Sequence, residues 1–140
     1  MPTTGVVYVA VAPDRCILVQ LRDDGRGEQI LYKNTWAFPG GRVEGSETSR
    51  EAVAREYSEE CSRVGEFRYI GTYQYSGEGP LNGGFVDVFF TFVEEAFDTI
   101  HFTEGKKFEW MEFEKLMKLE LAWQQEKIIP MIKEALSRAQ

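Results

Sequence analysis

The sequence predicts a single-domain α/β protein built on a mixed β-sheet with helices on both faces. Three observations predict it. The chain has 140 residues, one domain's length, and is 43% hydrophobic and 14% aromatic, enough for a core without disulfides or structural zinc. Extended segments occur on either side of one amphipathic helix, and a second helical pattern closes the chain. No repeat, low-complexity tract or linker divides it.

The elements follow in order. Residues 5–12 are an apolar run that reads as a strand. No positive flank precedes it and Pro13 and Asp14 end it, so it is not a secretory signal, and nothing approaches a membrane span. Residues 12–15 make a tight turn. Residues 16–22 form a second strand, alternating Ile17, Val19 and Leu21. Residues 23–35 are polar, with two glycines, and read as a loop. Residues 36–41 are extended and end in Gly40-Gly41. Thr48 caps the helix that follows, with Glu51 at the capping-box spacing. Ala52, Val53, Tyr57 and Cys61 give that helix an apolar stripe. Residues 67–75 and 85–94 read as strands joined by the Gly-rich segment 76–84, and residues 107–111 as a short strand. Residues 123–138 read as a terminal helix with Ile128, Ile129, Ile132 and Leu136 inward, Pro130 marking a kink or a later start.

The formal charge is −7 and the pI about 4.8, with no basic run longer than Lys106-Lys107. Such a chain has no electrostatic footing on a nucleic-acid polymer. An acidic surplus is usually a solvated surface; the other reading is carboxylates gathered around a cation, and only position can choose. Cys16 and Cys61 have no metal-ligand spacing and fit a reducing, cytoplasmic setting.

Position does choose, in residues 41–62. Glu56, Glu59 and Glu60 sit three and four apart on the helix and are expected on one face. Like charges at this spacing oppose a bare helix, and a bound cation would reverse the sign. Mg²⁺ or Mn²⁺ takes carboxylate oxygens and leaves positions for substrate phosphates. Glu47 and Arg55 bracket the helix start, where an arginine fork can hold a carboxylate and tie loop to helix. Gly40-Gly41 allows backbone to approach a ligand closely.

Gly41, five residues, Glu47, seven residues, then Arg55-Glu56-Tyr57-Ser58-Glu59-Glu60 resembles the signature box of the Nudix hydrolases, with every charged position met. Trp36-Ala37-Phe38-Pro39 resembles the family's approach to that box. Glu104-Gly105 and Glu109-Trp110-Met111 are similar to MutT-type members. Tyr57 and Arg63 stand where the family carries aliphatic residues, and Ser62 replaces a closing glycine, which puts the helix end in question, with Gly65 as another stop.

The resemblance implies a Nudix-type α/β/α sandwich over residues 1–140 and a hydrolase cutting a nucleoside diphosphate linked to another group. It implies Mg²⁺ (or Mn²⁺) on Glu56, Glu59 and Glu60 with the Gly41 carbonyl, Glu47 and Arg55 orienting the box, and Glu104 as a further ligand or base. A nucleoside triphosphate, cut to monophosphate and pyrophosphate, leads. A nucleotide sugar or dinucleotide is the alternative, and a non-catalytic nucleotide-binding Nudix module the rival of another class. The expected partner is a small nucleotide, with no nucleic-acid polymer and no membrane; a homodimer is left open.

Other constellations are weaker. The only histidine, His101, could pair with Cys61 as a nucleophile, but Cys61 falls on the apolar stripe. The segment Gly77-Glu78-Gly79-Pro80 lacks the Lys-Ser/Thr of a phosphate loop. Trp36, Phe38, Tyr73, Tyr75, Phe85 and Trp110 are core residues by default, one or two of them candidates for stacking on a nucleobase.

Overall fold

Val6 to Ala12 are buried without exception, and a strand apolar on both faces belongs inside a sheet. In the computed structural model, which describes residues 3–22, 34–79, 81–97 and 106–138, β1 (Thr3–Val11) takes that place. It runs parallel to β6 (Phe85–Phe92), with Val6 opposite Asp87 and Val11 opposite Phe92. β5 (Arg68–Gln74) adds antiparallel to β6, and β2 (Cys16–Arg22) lies on β1's other side, paired in turn with β7 (Lys106–Glu112). The sheet is therefore mixed, as expected.

β1 and β2 stay paired only at Val11 and Ile17 and then part. The wedge between them is filled by β3 (Trp36–Ala37) on β2 and β4 (Gly40–Arg42) on β1. Phe38 and Pro39 cross from one to the other, with Tyr8 N–H donating to Pro39 O at 3.0 Å. A Cβ on Gly40 would overlap the Val6 backbone, so only glycine lets β4 lie this close.

Alternation along β1 supplies two cores. Val6, Tyr8 and Ala10, with Leu18 and Phe89, pack under α1 (Ser49–Cys61) through its Ala52, Val53, Tyr57 and Cys61. Val7, Val9 and Val11, with Ile17, Val19, Val88 and Phe90, face Leu116, Leu121, Ile128, Ile132 and Ala135. Helical segments cover both faces, giving the three-layer sandwich. α1 starts as the capping box requires: Thr48 Oγ1 accepts from Glu51 N–H, and the Glu51 carboxylate accepts from Thr48 N–H at 2.9 Å.

The structure decides two alternatives that the sequence leaves open and adds one helix. The terminal helix takes the later start that Pro130 allows, rather than running from residue 123. A 3₁₀ segment (Ala122–Ile128) comes first, with Trp123 (φ 52°) and Gln124 (φ 59°) left-handed, and α3 (Ile129–Arg138) begins beside Pro130, whose missing N–H is harmless in a first turn. Helix α1 does not reach Gly65. It ends at Cys61, and Ser62 takes the left-handed cap itself (φ 55°, ψ 38°), its N–H donating to Ser58 O at 2.9 Å. A four-residue helix, α2 (Phe113–Leu116), was not legible, being too short for periodicity to show. Among the described residues, no helix is long and apolar enough to cross a membrane.

Candidate active site

The loop between β4 and α1 closes on itself. Glu47 N–H donates to Glu44 O, and Glu44 N–H to Glu47 Oε1, both at 2.9 Å, so the Glu47 carboxylate is fixed before it meets anything else. Arg55 then takes it as a fork, with Nε donating to Oε2 at 2.6 Å and Nη2 to Oε1 at 3.0 Å. Nη2 also reaches Arg42 O at 3.0 Å, which ties the end of β4 to the same guanidinium. The Arg55 hydrogen bond, with help from Glu44 N–H, holds the Glu47 carboxyl below its ordinary 4.5. The same pairing raises Arg55 further, so it is charged at every working pH.

The three box glutamates do not share one direction, which corrects the one-face expectation. Arg55 Nη1 lies between Glu56 Oε2 (2.9 Å) and Glu59 Oε1 (3.0 Å). Glu59 stays exposed. Glu60 turns into the protein, 4% exposed, where the Tyr8 hydroxyl donates to its Oε1 at 2.9 Å. Helical spacing of three and four covers an arc wide enough to reach both solvent and the sheet. As these side chains stand, no three of the described His, Cys, Asp and Glu residues gather tightly enough to hold a metal ion.

The donor chemistry nonetheless suits a hard cation. The Glu56 carboxylate lies directly against Gly41, where any Cβ would collide with it. Carboxylates and a backbone carbonyl, with no thiolate or imidazole among them, are the oxygen set of Mg²⁺ or Mn²⁺. Glu104 lies outside the described residues, as does His101.

Gly41 also lines a cavity of about 390 Å³. Its walls include Phe38, Tyr73, Tyr75 and Trp123, with Gln20 and Gln125 among the polar groups. The Arg22 guanidinium sits 4.4 Å over the Trp123 ring, and Tyr73 Oη donates to Trp123 O at 3.0 Å. Of the aromatics singled out in the sequence, Phe38, Tyr73 and Tyr75 reach this cavity, while Trp110 donates Nε1–H to Phe97 O at 2.8 Å and stacks edge-on against that ring. Trp123, Gln20 and Tyr8 were missed. Trp123 was hidden in an apparent helix, and the other two sit in runs that read only as strand.

The box departures have local reasons. Tyr57 packs edge-on between Tyr8 (5.1 Å) and Phe67 (5.4 Å), filling aliphatic space with an aromatic cluster. The Arg63 guanidinium covers the Phe97 ring at 3.9 Å. Cys61 is fully buried, and burial pushes its thiol up to about 11. A nucleophilic cysteine needs the opposite shift. Iodoacetamide at pH 8 is therefore expected to leave Cys61 intact in the native protein and to modify it on denaturation; mass spectrometry showing rapid native modification of Cys61 would revive a thiol mechanism.

The fold thus sets an arginine-clamped glutamate helix on a mixed-sheet sandwich, beside an aromatic-walled cavity. The family model for the NUDIX domain matches residues 1–132, and the chain belongs to the Nudix family. No curated relative matches the sequence. Among solved structures, a mutT/nudix family protein from Listeria innocua is similar at TM-score 0.77 and 18% identity, covering 99% of this chain and 97% of that one. The NUDIX domain of Shewanella oneidensis NrtR, solved with ADP ribose, gives 0.76 at 15% identity over 97% and 89%. The E. coli dihydroneopterin triphosphate pyrophosphohydrolase gives 0.67 at 18% identity over 92% and 95%.

Proposed function

We propose that this protein hydrolyses a nucleoside triphosphate to the monophosphate and pyrophosphate, with Mg²⁺ or Mn²⁺ on Glu56, Glu59, Glu60 and the Gly41 carbonyl. The observation carrying this reading is the double role of Gly41, which lines the aromatic cavity and abuts the Glu56 carboxylate. A base seated among Phe38, Tyr73 and Tyr75 thereby directs its phosphates towards the box. A divalent cation supplies charge neutralisation of the phosphates and a more acidic water. The chain's own part is separable. Arg55 and Glu47 hold the box in register, Arg42 lines the approach, and a box carboxylate accepts the proton of the attacking water. Water's oxygen joins the α-phosphorus, the anhydride P–O bond breaks, and pyrophosphate leaves with the bonding pair. Two free cysteines fit action in the cytoplasm.

A panel of nucleoside triphosphates, nucleotide sugars and dinucleotides, incubated with Mg²⁺ and with the products (nucleoside monophosphate, pyrophosphate, sugar phosphate) separated by anion-exchange chromatography, tests the reading. Turnover of a triphosphate, abolished by a chelator and restored by Mg²⁺ or Mn²⁺, is expected. Preference for a nucleotide sugar or dinucleotide would overturn the substrate class, and binding without turnover would make the protein a module rather than an enzyme.

A further inference from the structure

Gln20 is 3% exposed, and its Oε1 is buried with no hydrogen-bond partner among the described residues. Orphaned buried amides are rare and call for an explanation. Gln20 is among the residues that line the cavity, with this oxygen just beneath its accessible surface. Across the β2–β3 ladder Gln20 stands opposite Ala37, and the next residue, Phe38, donates its N–H to Gln125 Oε1 at 2.6 Å. The second cavity amide is thus committed and fixed, while the first has an acceptor to spare. The rest of the pocket is suited to a flat ring: aromatic walls, with Arg22 over the Trp123 ring and Tyr73 Oη donating to the Trp123 backbone carbonyl.

We propose that Gln20 is a specificity-determining residue, whose Oε1 accepts a hydrogen bond from a ring or exocyclic N–H of the nucleobase held in this cavity. The inference rests on the nucleotide reading of the cavity but not on hydrolysis. A ligand N–H completes the one buried side-chain polar atom left without a partner among the described residues. A ring without such a donor leaves it unsatisfied and binds more weakly. The same argument gives a stability signature. An apolar side chain of similar volume removes an orphaned acceptor from the interior, and that exchange is neutral or stabilising for the fold.

The test is equilibrium binding of the non-hydrolysable α,β-methylene triphosphates of adenosine, guanosine, cytidine and uridine, with Mg²⁺, to the parent and to Gln20→Met. The tightest ligand is expected to lose about 10- to 100-fold in affinity in the variant. Its analogue with the N–H replaced by C–H or N-methyl should bind parent and variant alike, and the variant should melt at or above the parent's Tm. Equal weakening of base and analogue, unchanged binding of both, a lowered Tm or failure to fold would assign Gln20 to the scaffold and overturn the proposal. So would a parent that binds none of the four. Because turnover is not read, a protein that binds as expected yet hydrolyses nothing loses its proposed activity and keeps this site.

Discussion

Glu56→Gln is expected to lower kcat by on the order of 10²–10⁴-fold while leaving the fold intact. The amide fills the same volume against Gly41, where nothing larger than a hydrogen is tolerated on the facing Cα. What disappears is the negative charge and the basic oxygen. Arg55 is not orphaned, because both Glu47 oxygens still accept from it. On a bare helix, removing one of several like charges would raise stability. Here Arg55 Nη1 already sits between Glu56 and Glu59 and offsets their repulsion, so Tm should stay within a few degrees of the parent. Steady-state kinetics beside thermal denaturation decide it. Near-normal turnover would remove Glu56 from the chemistry, and a large drop in Tm would make it a structural residue.

Arg55→Met should damage both quantities. It removes the group that bridges Glu47, Glu56, Glu59 and the Arg42 carbonyl, and with it the positive charge set among these carboxylates. Misplacing the box by about an ångström costs about 10²-fold in rate. Arg55→Lys should not rescue, since an ammonium cannot form the fork. Glu47→Gln combined with Arg55→Met should lose less than the two single losses together. Additive losses would mean that the contact carries no energy. Acid supplies an independent check. The Glu47 carboxyl is lowered by Arg55, so its contribution to stability is full above its ordinary 4.5 and fades as pH falls through the lowered value. Unfolding measured down that pH range should be less acid-sensitive in Glu47→Gln.

What the sequence revealed was whatever lies close along the chain. The capping box at Thr48 and Glu51 and the fork from Arg55 to Glu47 depend on spacings of a few residues, and each can be read as a pattern. The apolar stripe of α1 is legible for the same reason. Tyr8 meeting Glu60, and Gln20 left with a spare acceptor, arise only when distant segments fold together, and nothing in either residue's neighbours announces them. The left-handed pair Trp123-Gln124 was masked by good helical composition, since tertiary contacts (Arg22 on the indole, Ser76 N–H on Gln124 Oε1 at 3.0 Å) overrode local preference. Helical arithmetic also misled at Glu60. It gave the position on the helix, but the sheet's Tyr8 decided where the side chain points.

Val6 meets Asp87 and Val11 meets Phe92, partners 81 residues apart along the chain. Long-range parallel pairing of this kind is slow to form. A ribosome therefore delivers β1, β2 and the whole glutamate helix well before the strand that closes β1's second edge exists. Until then a fully apolar strand is exposed beside a highly charged helix, the condition in which nascent chains associate wrongly. A fragment ending at Cys61 would contain every box glutamate and still lack the partner that makes β1 a central strand. The signature is thus not a portable catalytic cassette: its acids become a site only when the far half of the chain arrives.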